Sequence, residues 1–348
     1  MEKKIYKTYR QLISILRDRG VVIRKGSVGS RVAGILEKEN YYNVVNGYKR
    51  LFIDKRATSE EVYKAGVTFD EMYSLYLFDR ELRHIYLKYL LKLETHFKTA
   101  VANVFSKKYG HDNYLKLENF HATASSDTTA LKRIAAHKKL DYTKDFAEIT
   151  RISAEENIAN VTHLIGDIQQ EIARQLNKHN DMISHYMTYH GYIPLWVLVN
   201  VLTFGKVTMF FLNMKEPEKI DIATQFKMQY RELHKYMTML GFARNKCAHD
   251  ERFYDIRFSQ RLHTKSIPNF AALNLPGDKS GSYVKGTCDA YAIAIIFKRL
   301  LSKQDFNEYF SLMEKAIKKL TKNLKTISAL DVLDVMGFTQ NWKDIKNI

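Results

Sequence analysis

Apolar residues recur at helical spacing along almost the whole chain, with no convincing strand alternation and no internal repeat. Residues 5–19 place Ile5, Leu12, Ile15 and Leu16 at helical offsets, and residues 28–38 repeat this with Val28, Val32, Ile35 and Leu36. Between them GSVGS (26–30) reads as a turn followed by a helix start. Gly29 and Gly34 have phosphate-loop spacing, but Ile35 and Leu36 stand where Lys and Ser/Thr would be needed. From Asp70 to Tyr109 there is neither Gly nor Pro, and the apolar stripe from Met72 through Tyr86 to Phe97 predicts one long helix stopped by Gly110. Residues 111–150 are more polar, with ASSDTT at their centre, and predict a mobile insertion of short helices. Residues 151–190 predict one or two helices ending at Gly191. Pro194 is expected in the first turn of an apolar helix, LWVLVNVLTFG, with Trp196 in the core. Pro217 opens the next element, and 230–249 is another helix. Residues 264–286 carry two Pro and three Gly and read as a loop. Helices near 287–302, 304–325 and 327–336 close the chain. The expected class is all-α, with a basic N-terminal helical region (1–66) and a larger helical domain (67–348) that holds the polar insertion and the loop.

Composition narrows the class further. The 348 residues include only 15 Gly and 4 Pro, too few for a collagen-like, linker-like or turn-rich all-β chain. With 45% apolar and 27% charged residues the chain is globular rather than disordered. Two cysteines, Cys247 and Cys288, make no disulfide framework, which together with the lack of a signal-peptide stretch or a membrane-length apolar run gives a cytoplasmic expectation with no membrane partner. Net charge is +17 and unevenly placed. Residues 1–56 hold 14 Lys/Arg against 5 Asp/Glu, residues 86–140 hold 10 against 4, and residues 298–326 hold 8 against 3. Such an excess attracts a polyanion, because each neutralised phosphate releases counterions.

The stretch with most chemistry is RNKCAHDERFYD (244–255), at the end of a predicted helix whose other face is apolar (Leu233, Tyr236, Met237, Leu240, Phe242). The Arg244–His249 spacing alone carries little, since Arg174–His179 and Arg257–His263 share it. Asn245, four residues before His249, adds a second polar group on the same helix face. Cleavage of RNA through its 2′-hydroxyl needs a base, an acid for the leaving oxygen and positive charge on the phosphate. Histidine suits both proton roles near neutrality, and arginine offers a fixed cationic fork to phosphate. The competing structural reading has Arg244 and Asn245 capping the helix while His249 packs. Cys247 reads as a buried apolar residue rather than a nucleophile. His179, His185 and His190 lack metal-ligand spacing, so no metal or cofactor is expected. Tyr41, Tyr42 and Tyr48 beside Lys49 and Arg50 are candidates for stacking on single-stranded or looped RNA.

The wording around Arg244, RN-x-CAH followed by Arg252, an apolar residue, an aromatic and Asp, resembles the signature of the Abi-like (abortive infection D/F type) proteins of the wider HEPN superfamily. YYNVVNGYKRLF (41–52), FDRELRHIYLKYLLKLE (78–94), IPLWVLVNVLTFGKV (193–207) and MGFTQNW (336–342) are similar to further family segments. Thr339 stands where Pro is usual, and Asp250 where many members have a second His. The resemblance implies a HEPN-type helical bundle and a metal-independent endoribonuclease that acts in phage defence or as a toxin, regulated by a structured non-coding RNA. It implies catalysis by Arg244, Asn245 and His249, with Lys246, Arg252, Tyr254 and Arg257 around them on the RNA, while the basic stretches add Lys49, Arg50, Lys107 and Lys108 as candidate phosphate contacts. A single copy of the motif per chain implies a homodimer with a composite site. The alternatives are a HEPN protein that binds RNA without cutting it, or a protein-interaction scaffold. A toxin silenced by nucleotidyl transfer is disfavoured, because Glu251 occupies the position such proteins give to Tyr.

Overall fold

The computed structural model describes residues 5–56 and 61–348. Residues 1–4 and 57–60, which belong to the basic N-terminal stretch, lie outside the described residues. The described chain is all-helical, and its only β pairings are isolated bridges such as Val22 with Thr68. The α-helices are α1 (Tyr9–Asp18), α2 (Ser27–Glu39), α3 (Phe69–Tyr109), α4 (Thr128–Lys138), α5 (Phe146–Asn177), α6 (Asp181–His190), α7 (Leu195–Leu198), α8 (Phe204–Asn213), α9 (Glu216–Gln225), α10 (Tyr230–Ala248), α11 (Ala290–Leu300), α12 (Lys303–Asn323) and α13 (Ala329–Val335). Among the described residues no helix is long and apolar enough to cross a membrane.

Helix ends follow local chemistry. Thr8 closes a capping box on α1 with Gln11, and Gly26, at φ 77°, turns the chain into α2. α3 runs unbroken to Tyr109 and ends at Gly110, φ 86°, as the lack of breakers predicted. Three expectations need correction. The first stripe is carried by Ile13 and Leu16, while Ile5 lies before the helix and is exposed. The apolar stretch 195–205 is two helices rather than one. Pro194 is the N-cap of the single-turn α7, and Thr203 then accepts the Lys206 N–H to start α8. Apolar periodicity cannot report that break, because Leu195 and Leu198 before it and Phe204 and Val207 after it are all buried. Trp196, expected in the core, is 52% exposed.

The chain forms two compact units, one of residues up to Leu90 with Phe242–Ile348, the other of Leu91–Gly241. The division falls within α3 and within α10. In the first unit Tyr86 is packed against Phe253 (4.6 Å), Phe297 (5.5 Å) and Tyr309 (5.4 Å), and the Tyr309 hydroxyl donates to the Tyr86 hydroxyl at 2.8 Å. Glu71, buried in the first turn of α3, accepts the Lys325 and Thr326 N–H groups, each at 2.6 Å, and so ties the α12–α13 link to α3. Asp289 caps α11 through the Ala292 N–H (3.1 Å), and Gly337 lies so close that a Cβ there would fall 2.0 Å from the carboxylate. In the second unit Phe105, Phe120 and Phe210 form a triad with centroids 5.0–5.3 Å apart. The α4–α5 hairpin has a small core of Leu131, Ala135 and Ile149.

Candidate functional site

The 244–255 stretch occupies the end of α10 and the turn after it, within the first unit. The His249 N–H still donates to the Asn245 carbonyl (3.0 Å), and Asp250, at φ 55°, breaks the helix in the left-handed conformation that Asp tolerates. The turn is then held by two buried side chains one helical turn apart on α3. Asp79 accepts the Phe253 N–H (3.2 Å), the Tyr254 N–H (2.7 Å) and the Tyr48 hydroxyl (2.6 Å). Arg83 pairs with Asp79 (2.8 Å) and with Asp250. Asp250 thus gives Arg83 a second carboxylate, where a histidine would face a guanidinium. Burial raises the Asp79 carboxyl from its ordinary value, opposed by the Tyr48 hydroxyl, the Arg83 charge and the two N–H groups.

The 41–52 block completes the site. The Gly47 carbonyl accepts from the Arg252 guanidinium (2.6 Å). A Cβ at position 47 would meet the Asn43 carbonyl at 2.6 Å and Arg252 Cδ at 3.2 Å, so only glycine allows this approach. Tyr48 stacks on Tyr254 (5.4 Å) and meets Tyr76 edge-on (5.6 Å). The result is a cleft of about 710 Å³ lined by Tyr42, Asn43, Phe242, Lys246, His249 and Arg252, with Asp250, Glu251, Asp255 and Arg257 along it.

The charges of this cleft are largely matched. Lys246 pairs with Glu251 and lies over the Phe242 ring (5.6 Å), and Arg252 reaches Asp255 (3.3 Å). Arg257 donates to the Ile256 and Val335 carbonyls, each at 2.8 Å. His249 is exposed, and its imidazole has no hydrogen-bond or ion-pair partner among the described residues.

The expected site residues are therefore gathered only in part. Lys246, His249, Arg252 and Arg257 share the cleft. Asn245 is exposed on the His249 face of α10 but does not line it. Arg244 is half-buried and, five residues from His249, stands about 140° away around the helix. Tyr254, expected on RNA, is 1% exposed, and Tyr48 is equally buried; neither presents a ring to a base. Lys49 pairs with Glu61. Arg50 is exposed in a neighbouring groove with Lys55, Lys64 and Arg257. Lys107 and Lys108 belong to the second unit, where Lys108 pairs with Glu218. Phe242, one of the apolar residues of α10, is 46% exposed. Cys247 is buried, and burial pushes its thiol far above its ordinary value. Among the described residues no group of three or more His, Cys, Asp or Glu is placed to hold a metal ion.

Sequence reading missed Asp79 and Arg83. Their signal was present: an acid and a base four residues apart, set into the apolar stripe of α3.

A family model described as Abi-like protein matches residues 34–255, a span that takes in the 41–52 block, Asp79, Arg83 and the whole 244–255 stretch. No curated protein matches the chain, and no solved structure matches it.

Proposed function

Since the chain belongs to the Abi-like family, a membership that suggests a role in abortive infection or defence, we propose that it is a cytoplasmic endoribonuclease of HEPN type that uses His249 without a metal. The observation that carries this reading is His249 itself, an unpartnered imidazole at a cleft whose supporting turn is anchored by the buried Asp79–Arg83 pair. Rigid support of an exposed proton-transfer group is what general acid–base catalysis requires. His249 takes the 2′-hydroxyl proton, the oxygen attacks the adjacent phosphorus, and the protonated His249 of the facing chain gives a proton to the 5′-oxygen as it leaves. Arg244 supplies charge to that phosphate and Asn245 is the second polar group that binds it. Because Arg244 and His249 diverge around one helix, the complete set comes from two chains facing each other about a two-fold axis. A structured non-coding RNA is the proposed regulator.

The test is the chemistry of the ends. Purified protein with EDTA should yield 2′,3′-cyclic phosphate or 3′-phosphate termini, and 5′-phosphate termini or dependence on added metal would reject the mechanism. Mixing inactive Arg244→Ala with inactive His249→Ala should restore part of the activity if the site is composite. A second reading, RNA binding without cleavage, is favoured by Arg244 and Asn245 not lining the cleft that holds His249, and predicts RNA retention with no new ends.

A further inference from the structure

We propose that the second unit contains a separate anion site, built around Lys219, that takes the phosphate or diphosphate group of a small phosphorylated ligand. The site is a cavity of about 780 Å³ lined by residues from several segments, among them His121, Asp127, Lys219, Arg231, His234 and Lys235. It is independent of the His249 cleft and does not rest on the ribonuclease reading.

Lys219 is the informative group. It is only 9% exposed, yet its ammonium donates to a single backbone carbonyl, that of Leu212 at 3.2 Å, and lies 5.3 Å from the Tyr230 ring centroid. Among the described residues no carboxylate forms an ion pair with it. The nearby acids are engaged elsewhere or exposed. Glu218 pairs with Lys108 and accepts the Tyr109 hydroxyl (2.7 Å). Asp127 caps α4 through the Thr129 N–H (2.9 Å) and pairs with Arg231 (3.1 Å). Glu216 and Glu156 line the cavity but are exposed. A buried ammonium without an anion is costly, and proteins rarely keep one unless something pairs with it.

The neighbours carry the same imbalance. Burial lowers Lys219 from its ordinary 10.5, and burial together with the Lys219 charge lowers both His121 and His234 from 6.5. A bound anion would relieve all three. The donors come from three different places, His121 before α4, Lys219 on α9, and Arg231 with His234 on α10. A tetrahedral phosphate presents oxygens in enough directions to meet them, whereas a planar carboxylate presents two.

The test is calorimetric titration of the full chain with sodium pyrophosphate and with ADP, using sodium sulfate and a 5′-hydroxyl RNA oligonucleotide as controls. Pyrophosphate or ADP should bind and raise the unfolding temperature. Tighter binding of ADP would identify a nucleotide as the source of the phosphate, and equal binding a free diphosphate. Lys219→Met should weaken binding at least tenfold while leaving the unfolding temperature of the ligand-free protein unchanged or higher, because it removes an unpaired buried charge. Arg231→Gln should also weaken binding. The proposal is overturned if neither pyrophosphate nor ADP binds, if sulfate binds as tightly, if only the RNA binds, or if Lys219→Met retains full affinity. A Lys219→Met chain that is destabilised without ligand would make the lysine structural and overturn it equally.

Discussion

Asp79 and Lys219 are both buried charges, and their surroundings treat them in opposite ways. Asp79, in the first unit, receives the Tyr48 hydroxyl, two backbone N–H groups and the Arg83 guanidinium. Lys219, in the second unit, has one carbonyl and an aromatic ring. A charge with a full set of partners is part of the scaffold, and removing it orphans them all. A buried charge without a counter-ion is costly to keep, and on that the proposed anion site rests. In the His249 cleft Lys246 and Arg252 have carboxylate partners, while the His249 imidazole has no partner among the described residues.

The largest effect should come from breaking the satisfied pair. Asp79→Ala leaves Arg83 buried without its main partner and should cost about 3–5 kcal/mol, read as a lowered urea midpoint of the first unit. Lys219→Met should cost nothing, so equal losses in both variants would erase the contrast. Next in size is Gly47→Ala. The new methyl has to displace the Asn43 carbonyl or Arg252, at about 1–3 kcal/mol, and should loosen the cleft wall. Unchanged stability there would mean that the 41–52 block is not braced by Arg252.

Smaller effects separate paired from unpaired surface cations. RNA binding should weaken steeply with salt, and Arg50→Glu should lower affinity severalfold without loss of stability. Lys49→Glu should also disturb the fold, because Lys49 is tied to Glu61. Binding indifferent to ionic strength would count against RNA at this face. The smallest effect is on acid stability. Burial pushes the Glu71 carboxyl up, but the Thr326, Lys325 and Thr68 N–H groups outweigh it and hold the carboxyl below its ordinary 4.5. Its contribution is therefore complete above that pH and is lost as pH falls through the lowered value. Glu71→Gln should flatten this part of the stability curve, and an unchanged acid limb would show that Glu71 does not contribute.

Much of this fold is legible in the sequence where one physical signal acts alone. The forty-one residues of α3 declare themselves by an apolar period without Gly or Pro. The break at Thr203 does not, because burial on both sides of it hides the helical period, and only a capping hydroxyl marks the new start. Tyr48 and Tyr254 look like surface aromatics because they neighbour Lys49, Arg50 and Arg252, yet both are buried by each other and by Asp79. His249 is singled out by the wording of the 244–255 stretch and not by its spacing from Arg244, which Arg174–His179 and Arg257–His263 share. Asp79 and Arg83 could not be assigned a role that way, since the Phe253 and Tyr254 N–H groups that Asp79 accepts and the Asp250 carboxylate that Arg83 pairs with lie far along the chain. Lys219 is likewise one lysine among many until burial sets it apart.

The most direct test of the central claim, that the scaffold is buried and paired while His249 is exposed and reactive, is to measure stability and RNA cleavage on a single preparation of His249→Ala. The account predicts an unfolding midpoint within about 0.5 kcal/mol of the parent, as for other surface substitutions, with cleavage reduced by about 100-fold or more. Full cleavage by a stable His249→Ala chain would contradict it.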